Sequence, residues 1–482
     1  MNKSIVRFVT GRILMLLGLL MLAPLTVSFI YREAPVYKIS FGAAIAASFL
    51  LGWLLSLKKP ASTRFYTREG LVICSLIWVL MSLLGALPLR LSGEFPTMID
   101  AFFEISSGFT TTGASVATNV EGLQRSSIFW RSFTHLIGGM GVLVFVLALM
   151  PATNADNVHI MKAEVPGPAF GKLVSSLRAT ARILYLMYMA MTAVLVAALL
   201  AAGMPLFDAL CHAFGAAGTG GFGIKNTSVL WYDSARVDYI LGIGMLAFGV
   251  NFNLYYLLLL RKVRAFFRDE ELRAYLLIVL GAMAVICLDV YKLYDNHGRM
   301  VRDVFFTVSS IITTTGYSTA DFGQWPLLSH VILLLLMFCG AMAGSTAGGL
   351  KVSRVVLYAK TARAEFRRQR EPGRIVPVVF NGKPISREAQ RSLFGYLCIY
   401  LTAFLFFLLV TSLDAPDFLS AFSAVAATFN NIGPGLSVVG PTGSYASFSL
   451  LTKLMLSLSM IAGRLEIWPM VILFSRKTWR KV

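Results

Sequence analysis

Four stretches of equal length hold the residues with the clearest chemical capability: Asp100–Gly113 (DAFFEISSGFTTTG), Asp208–Gly221 (DALCHAFGAAGTGG), Asp303–Gly316 (DVFFTVSSIITTTG) and Ser420–Gly433 (SAFSAVAATFNNIG). Each ends on glycine, and each opens on a residue type that caps helices. The chemistry they suit is coordination by backbone. A cation stripped of water needs oxygen ligands, and a ring of carbonyls supplies them without a fixed charge that would trap the ion. Glycine reaches the backbone angles that turn successive carbonyls toward one axis. The ligand-bearing residues expected on this reading are Thr111, Thr112 and Gly113; Gly220 and Gly221; Thr314, Thr315 and Gly316; and Asn431, Ile432 and Gly433. The preceding residues of each stretch read as a short helix whose partly negative C-terminus faces the ion. Asp100, Asp208, Asp303 and Ser420 are expected to cap its other end, and Ala114, Phe222, Tyr317 and Pro434 to wedge each strand against its own helix. Thr/Gly clusters also occur in ordinary loops and helix contacts, but four copies at matched spacing favour a ring.

The elements that position these stretches are apolar spans. The 482 residues are 57% hydrophobic and 14% charged, with a mean hydropathy of +0.71, and apolar windows of about 20 residues recur throughout. The chain reads as an all-α polytopic membrane protein. Two leading spans, Ile13 to Ile30 and Ile39 to Leu57, form an N-terminal hairpin without a filter-like stretch. The pattern of span, short helix, strand, span then repeats, with spans at Leu71 to Leu91, Ile128 to Met150, Ile183 to Ala202, Val237 to Leu260, Tyr275 to Val290, Leu327 to Leu357, Leu393 to Leu413 and Phe448 to Phe474. Ten spans result, arranged as four span–helix–span repeats in pseudo-fourfold order. The boundaries expected are residues 1–60 for the hairpin and 61–160, 161–265, 266–375 and 376–482 for the repeats. Of the 43 lysines and arginines, 31 fall in segments that this topology places on the same side as both termini, which makes that side cytoplasmic. The net charge of +19 is explained by topology, and no nucleic-acid partner is expected.

The span from Leu327 to Leu357 is interrupted by Gly344, Ser345, Thr346, Ala347, Gly348 and Gly349. So many small residues should split it into two halves joined by a loop, which at membrane depth is tolerated where it lines a cavity or is buried in protein. Arg464 lies about eleven residues from the basic tail, roughly 16 Å along a helix, and a charge there should face water or a partner. Glu466 sits on another helix face and is a poor partner. Lys453 shares the face of Arg464, so it either lines the same cavity or snorkels to the outer surface.

TTTGAS (110–115), TTTGYS (313–318), NNIGPG (430–435) and AGSTAGGLKV (343–352) resemble the signatures of the Trk/Ktr/HKT potassium transporter superfamily, with the bacterial TrkH type nearest. The resemblance covers nearly the whole chain. It implies potassium uptake across a bacterial inner membrane, a glycine at each of four filter positions, and a pore occluded by the 344–349 loop with Arg464 as an electrostatic barrier. It further implies a homodimer and a cytoplasmic nucleotide-binding regulatory subunit of the TrkA type, with potassium as substrate and no bound cofactor. Where plant members carry serine in the first repeat they transport sodium; here all four positions are glycine. The second repeat departs from the family pattern with GTGGFGIKN. A sodium-conducting relative, or an alternating-access carrier with broken helices at its midplane, remains the alternative.

Two other motifs carry no chemistry. GTGGFG (218–223) fits GxGxxG but lacks a flanking βαβ unit, and GSTAGGLK (344–351) lacks the GK[ST] of a phosphate loop. The five histidines show no ligand-like spacing, and the five cysteines, without CxxC spacing, read as small buried apolar residues. No enzymatic activity is expected. The Arg-rich 351–391 segment, with Arg363, Arg367, Arg368 and Arg370, suits lipid headgroups or an acidic partner.

Overall fold

A computed structural model describes residues 1–60, 67–141, 177–372, 374 and 376–479. The N-terminal hairpin comprises α1 (Lys3–Leu20), running almost straight on into α2 (Leu22–Ile30), and α3 (Pro35–Ser56). Gly11 and Gly52 let its helices meet: a Cβ at either position would stand 2.5 or 2.6 Å from the other's carbonyl oxygen.

The first repeat follows with α4 (Thr67–Leu91), the inner helix α5 (Met98–Phe109) and α6 (Arg125–Gly139). The expected continuation of this last span to Met150 lies outside the described residues, as does most of the basic segment 162–182. The second repeat has α7 (Leu177–Ala201), the inner helix α8 (Leu206–Gly218), α9 (Ala235–Phe248) and α10 (Phe252–Leu259). After α11 (Val263–Arg268) comes the third, with α12 (Glu270–Val290), the inner helix α13 (His297–Ile312), α14 (Leu327–Cys339) and α15 (Val352–Arg370). A hairpin pairing Val379–Phe380 with Lys383–Pro384 leads into the fourth: α16 (Arg387–Thr411), the inner helix α17 (Phe418–Phe429), α18 (Leu450–Arg464) and α19 (Trp468–Phe474).

Among the described residues six helices are long and apolar enough to cross a membrane, and α9 with α10, bent by 93°, makes a seventh. The remaining three expected spans contain α6, α14–α15 and α18–α19, which are shorter or interrupted. The sequence predicted an interruption only in the third repeat. The structure has one in each repeat whose second span is described to its end: at Gly249–Asn251, at Gly340–Lys351 and at Leu465–Ile467. The last break is made by left-handed Glu466 and Ile467 (φ 56° and 68°).

The repeats are joined cyclically. α6 packs on α8, α9 on α13, α14 on α17, and α18 returns to α5, so each repeat's outer helix covers the inner helix of the next. Close approach depends on glycine at two of these helices. A Cβ at Gly138 would stand 1.8 Å from Phe109 O, and one at Gly463 1.9 Å from Phe429 O, so the ends of α6 and α18 press directly on the inner-helix C-termini of their own repeats. Outward-facing Val194, Leu277, Leu288 and Leu409 are each at least 69% exposed on the long spans, as expected of a lipid-facing surface.

Candidate ion filter and gate

Each inner helix ends in the same way. Thr111, Thr219, Thr314 and Asn431 adopt left-handed backbone with φ between 54° and 58°. The next residue's N–H turns back to a carbonyl five positions earlier: Thr112 to Ser107, Gly220 to Gly215, Thr315 to Ser310 and Ile432 to Ala427, all at 2.8 Å. This is the Schellman ending of a helix, in which the left-handed position normally takes glycine. A β-branched threonine there is strained by roughly 1–3 kcal/mol and persists only where its surroundings hold it. Two residues later Gly113, Gly221, Gly316 and Gly433 are left-handed again (φ 80°, 69°, 88° and 98°). Alternating left-handed residues is a backbone course that directs successive carbonyls to one side.

The four strands close on each other. A Cβ at Gly113 would stand 2.1 Å from Gly220 O, one at Gly221 1.9 Å from Thr315 O, one at Gly316 2.1 Å from Ile432 O, and one at Gly433 2.6 Å from Thr112 O. Every glycine therefore makes room for the carbonyl of the next repeat, and the fourth makes room for the first. The same four glycines line one cavity of about 330 Å³. Of the eleven residues expected to bear ligands, Thr112, Gly113, Gly220, Gly221, Thr315, Gly316, Asn431, Ile432 and Gly433 meet across repeats, and Thr111 and Thr314 take the left-handed position of their own stretches, as does Thr219. Equal stretch length was the available signal, since Thr219 occupies the register of Thr111, Thr314 and Asn431.

Two expectations about the stretch are corrected. Asp100, Asp208 and Ser420 lie three positions inside their helices, and Asp303 lies deeper still. The capping positions are Thr97, Pro205, Asn296 and Asp417, of which all but Pro205 accept backbone N–H groups through their side chains. At exposed Asp417, the Ser420 N–H holds the carboxyl below its ordinary value. Of the residues after the glycines, Phe222 and Tyr317 reach into a neighbouring repeat. The Tyr317 hydroxyl donates to His212 O on α8 (3.2 Å), and Phe222 stacks 4.4 Å from His135 on α6.

Buried polar residues brace the first two strands. Glu104 and Arg131, both 1% exposed or less, pair at 2.6 Å, and Glu104 also accepts from the Ser115 hydroxyl (2.9 Å) and Val116 N–H (3.0 Å). His135 Nδ1 lies 2.8 Å from Gly108 O and Nε2 3.3 Å from Phe222 N, so its ring joins the two repeats as a neutral imidazole that donates once and accepts once. Lys453 neither lines a cavity beneath the ring nor snorkels: it is buried against Asp100 at 2.8 Å, tying α18 to α5. Cys398 is exposed and Cys287 half-buried, so only Cys74, Cys211 and Cys339 are buried as expected.

The interrupted third repeat lies against the ring. Gly348 N–H donates to Thr314 Oγ1 (2.7 Å), and a Cβ on Gly348 would stand 2.3 Å from Asn430 O. Gly344 O accepts from Phe252 N–H (3.1 Å) at the bend of the second repeat, and Lys351 Nζ bonds Ala347 O. The loop's two ends are clamped by one carboxylate, as Glu271 Oε1 accepts from Ala343 N–H (2.7 Å) and Ser353 N–H (2.9 Å). Arg464 donates at 2.7 Å to Thr346 O in the loop, and also to Gly138 O and Gly139 O at the end of α6. All seven residues named as a gate meet in this assembly or flank its contacts. Glu466 pairs instead with Arg354 (2.7 Å), in keeping with its poor placement for Arg464.

Long and interrupted apolar helices in cyclic order, enclosing four short inner helices whose ends meet at a ring of glycines, define a multi-pass membrane protein. The TrkH family, described as cation transport protein, matches residues 38–481. The Trk system potassium uptake protein TrkG of Escherichia coli (strain K12) is 35% identical, with the whole of both chains covered. TrkH of Salmonella typhimurium (strain LT2) is 34% identical over 99% of each. The crystal structure of the potassium transporter TrkH from Vibrio parahaemolyticus superposes with a TM-score of 0.89 at 29% identity over the whole of both chains. The chain belongs to the TrkH family of cation transport proteins, which are transporters and not enzymes.

Proposed function

We propose that this chain takes up potassium across a bacterial inner membrane through one central pore. The carrying observation is the closed ring of four glycines, each seating the next repeat's carbonyl. Thr111, Thr112, Gly113, Gly220, Gly221, Thr314, Thr315, Gly316, Asn431, Ile432 and Gly433 form the filter, with Thr219 completing the second quarter. The relatives' names as potassium uptake proteins favour potassium as the ion. The loop from Gly344 to Gly349 is the gate: its Gly348 bonds a filter threonine, and Arg464 of the fourth repeat bonds its Thr346 carbonyl. Counting α6, α14–α15 and α18–α19 as crossings beside the seven apolar spans gives ten, with both termini cytoplasmic by the distribution of lysine and arginine and with the repeat boundaries set out above. Family likeness favours a homodimer with a cytoplasmic nucleotide-binding subunit of the TrkA type.

The test is growth of a bacterium stripped of its own potassium uptake, on limiting potassium, with this chain expressed. Restored growth is expected, and loss of that growth with Gly316→Ala. A wild-type chain that reaches the membrane fraction intact and restores nothing contradicts the proposal.

A further inference from the structure

A second cavity, of about 910 Å³, opens where α10, α11 and the start of α12 at Asp269 meet the hairpin around Asn381. Arg261, Lys262, Arg264, Arg268 and Lys383 line it, and none makes an ion pair among the described residues. Asp269, the carboxylate beside them, is already engaged as the cap of α12 (Leu272 N–H, 2.9 Å) and by Asn381 Nδ2 (2.8 Å). Neighbouring Glu270 is engaged by Lys360 at 2.6 Å. Five cations thus surround a space with one acidic neighbour. Like charges gathered without counter-charge repel, and the arrangement is favoured only when an anion joins them.

The apolar part of the wall says which anion. Leu254 and Leu257 line the cavity from α10, and Leu259, Leu260, Val263 and Phe267 are 47–67% exposed beside it. A free phosphate would use the cations and leave these side chains in water. An acidic phospholipid uses both, phosphate on the guanidinium groups and acyl chain along the leucines, at the level where one span ends and the next begins. We propose that this cavity is a binding site for an acidic phospholipid of the phosphatidylglycerol or cardiolipin kind.

The purified full-length chain, delipidated and offered equal phosphatidylglycerol and phosphatidylcholine, is examined by native mass spectrometry. The wild type should retain phosphatidylglycerol. R261Q/R264Q/R268Q should lose it by roughly fivefold per charge removed, R261K/R264K/R268K should keep it, and R236Q/K292Q, at the outer ends of spans, should behave as wild type. Equal retention by the glutamine variant overturns the site. Inorganic pyrophosphate that displaces the lipid at matched concentration assigns the cations to a soluble phosphate and also overturns it. Unchanged lipid retention with lost capture of an acidic soluble protein assigns the face to protein docking, with the same consequence.

Discussion

If the 344–349 loop is the gate proposed above, Arg464→Ala isolates what the arginine contributes to holding it in place. The side chain makes three hydrogen bonds of 2.7 Å, to Thr346 O, Gly138 O and Gly139 O. Of these, the first ties the loop, and the other two hold Arg464 to α6 and survive when the loop swings away. A hydrogen bond from a charged donor contributes about 1.5–3 kcal/mol net, so losing that single tether should raise the open population by about 10- to 150-fold. Treating all three bonds as broken on opening would predict a far larger change, so the measured size distinguishes the two pictures. The assay is rubidium flux into liposomes containing the purified variant, normalised to protein that runs as a single folded species. Arg464→Lys separates charge from tether: it keeps the positive charge and cannot span three carbonyls, so it should fall between wild type and Arg464→Ala. Flux of Arg464→Ala within twofold of wild type would refute the tether.

Gly113→Ser should weaken the preference for potassium, because its Cβ needs the place of Gly220 O, 2.1 Å away; competition of rubidium flux by sodium measures it, and unchanged selectivity would remove the first repeat from the ring. Glu104→Ala leaves Arg131 buried without its partner and should destabilise the fold by about 3–5 kcal/mol, read as a lowered thermal midpoint in detergent. Glu271→Ala releases both Ala343 N–H and Ser353 N–H at the ends of the loop. It should raise basal flux by at least several-fold, while Glu271→Gln, which keeps one acceptor oxygen, should raise it less; flux below wild type in both would show that the clamp supports opening.

The ring was legible because its signal is local and repeated: four stretches of one length, each ending on glycine, at a spacing that composition alone does not produce. The break in the third repeat was legible for a related reason, since six small residues in a row, three of them glycine, weaken a helix inside an apolar span. What stayed hidden depends on tertiary placement. Thr219 stands in a GTGG ending where the first and third stretches read TTTG, so only its register within the stretch marked it. The breaks at Gly249–Asn251 and Leu465–Ile467 carry no dense glycine or proline run, and the second is formed by residues that rarely take positive φ. Lys453 pairs with Asp100 across the join between the fourth repeat and the first, and Glu104 with Arg131 between two helices. Neither pairing follows from helical periodicity. Three caps lie three residues before the expected position and the fourth, Asn296, seven before Asp303, because a polar residue inside the first turns and one at the cap look alike in sequence. The hairpin at 379–384 carries a local sign in the sequence, Asn381-Gly382, both left-handed in the structure (φ 48° and 73°).

The central claim is that four carbonyl-bearing strands select potassium. Its most direct test is ion flux through liposomes containing only the purified wild-type chain, comparing potassium, rubidium and sodium under equal gradients with a neutral solute as control. The account predicts potassium and rubidium flux well above sodium and no passage of the neutral solute; sodium flux equal to or above potassium would contradict it.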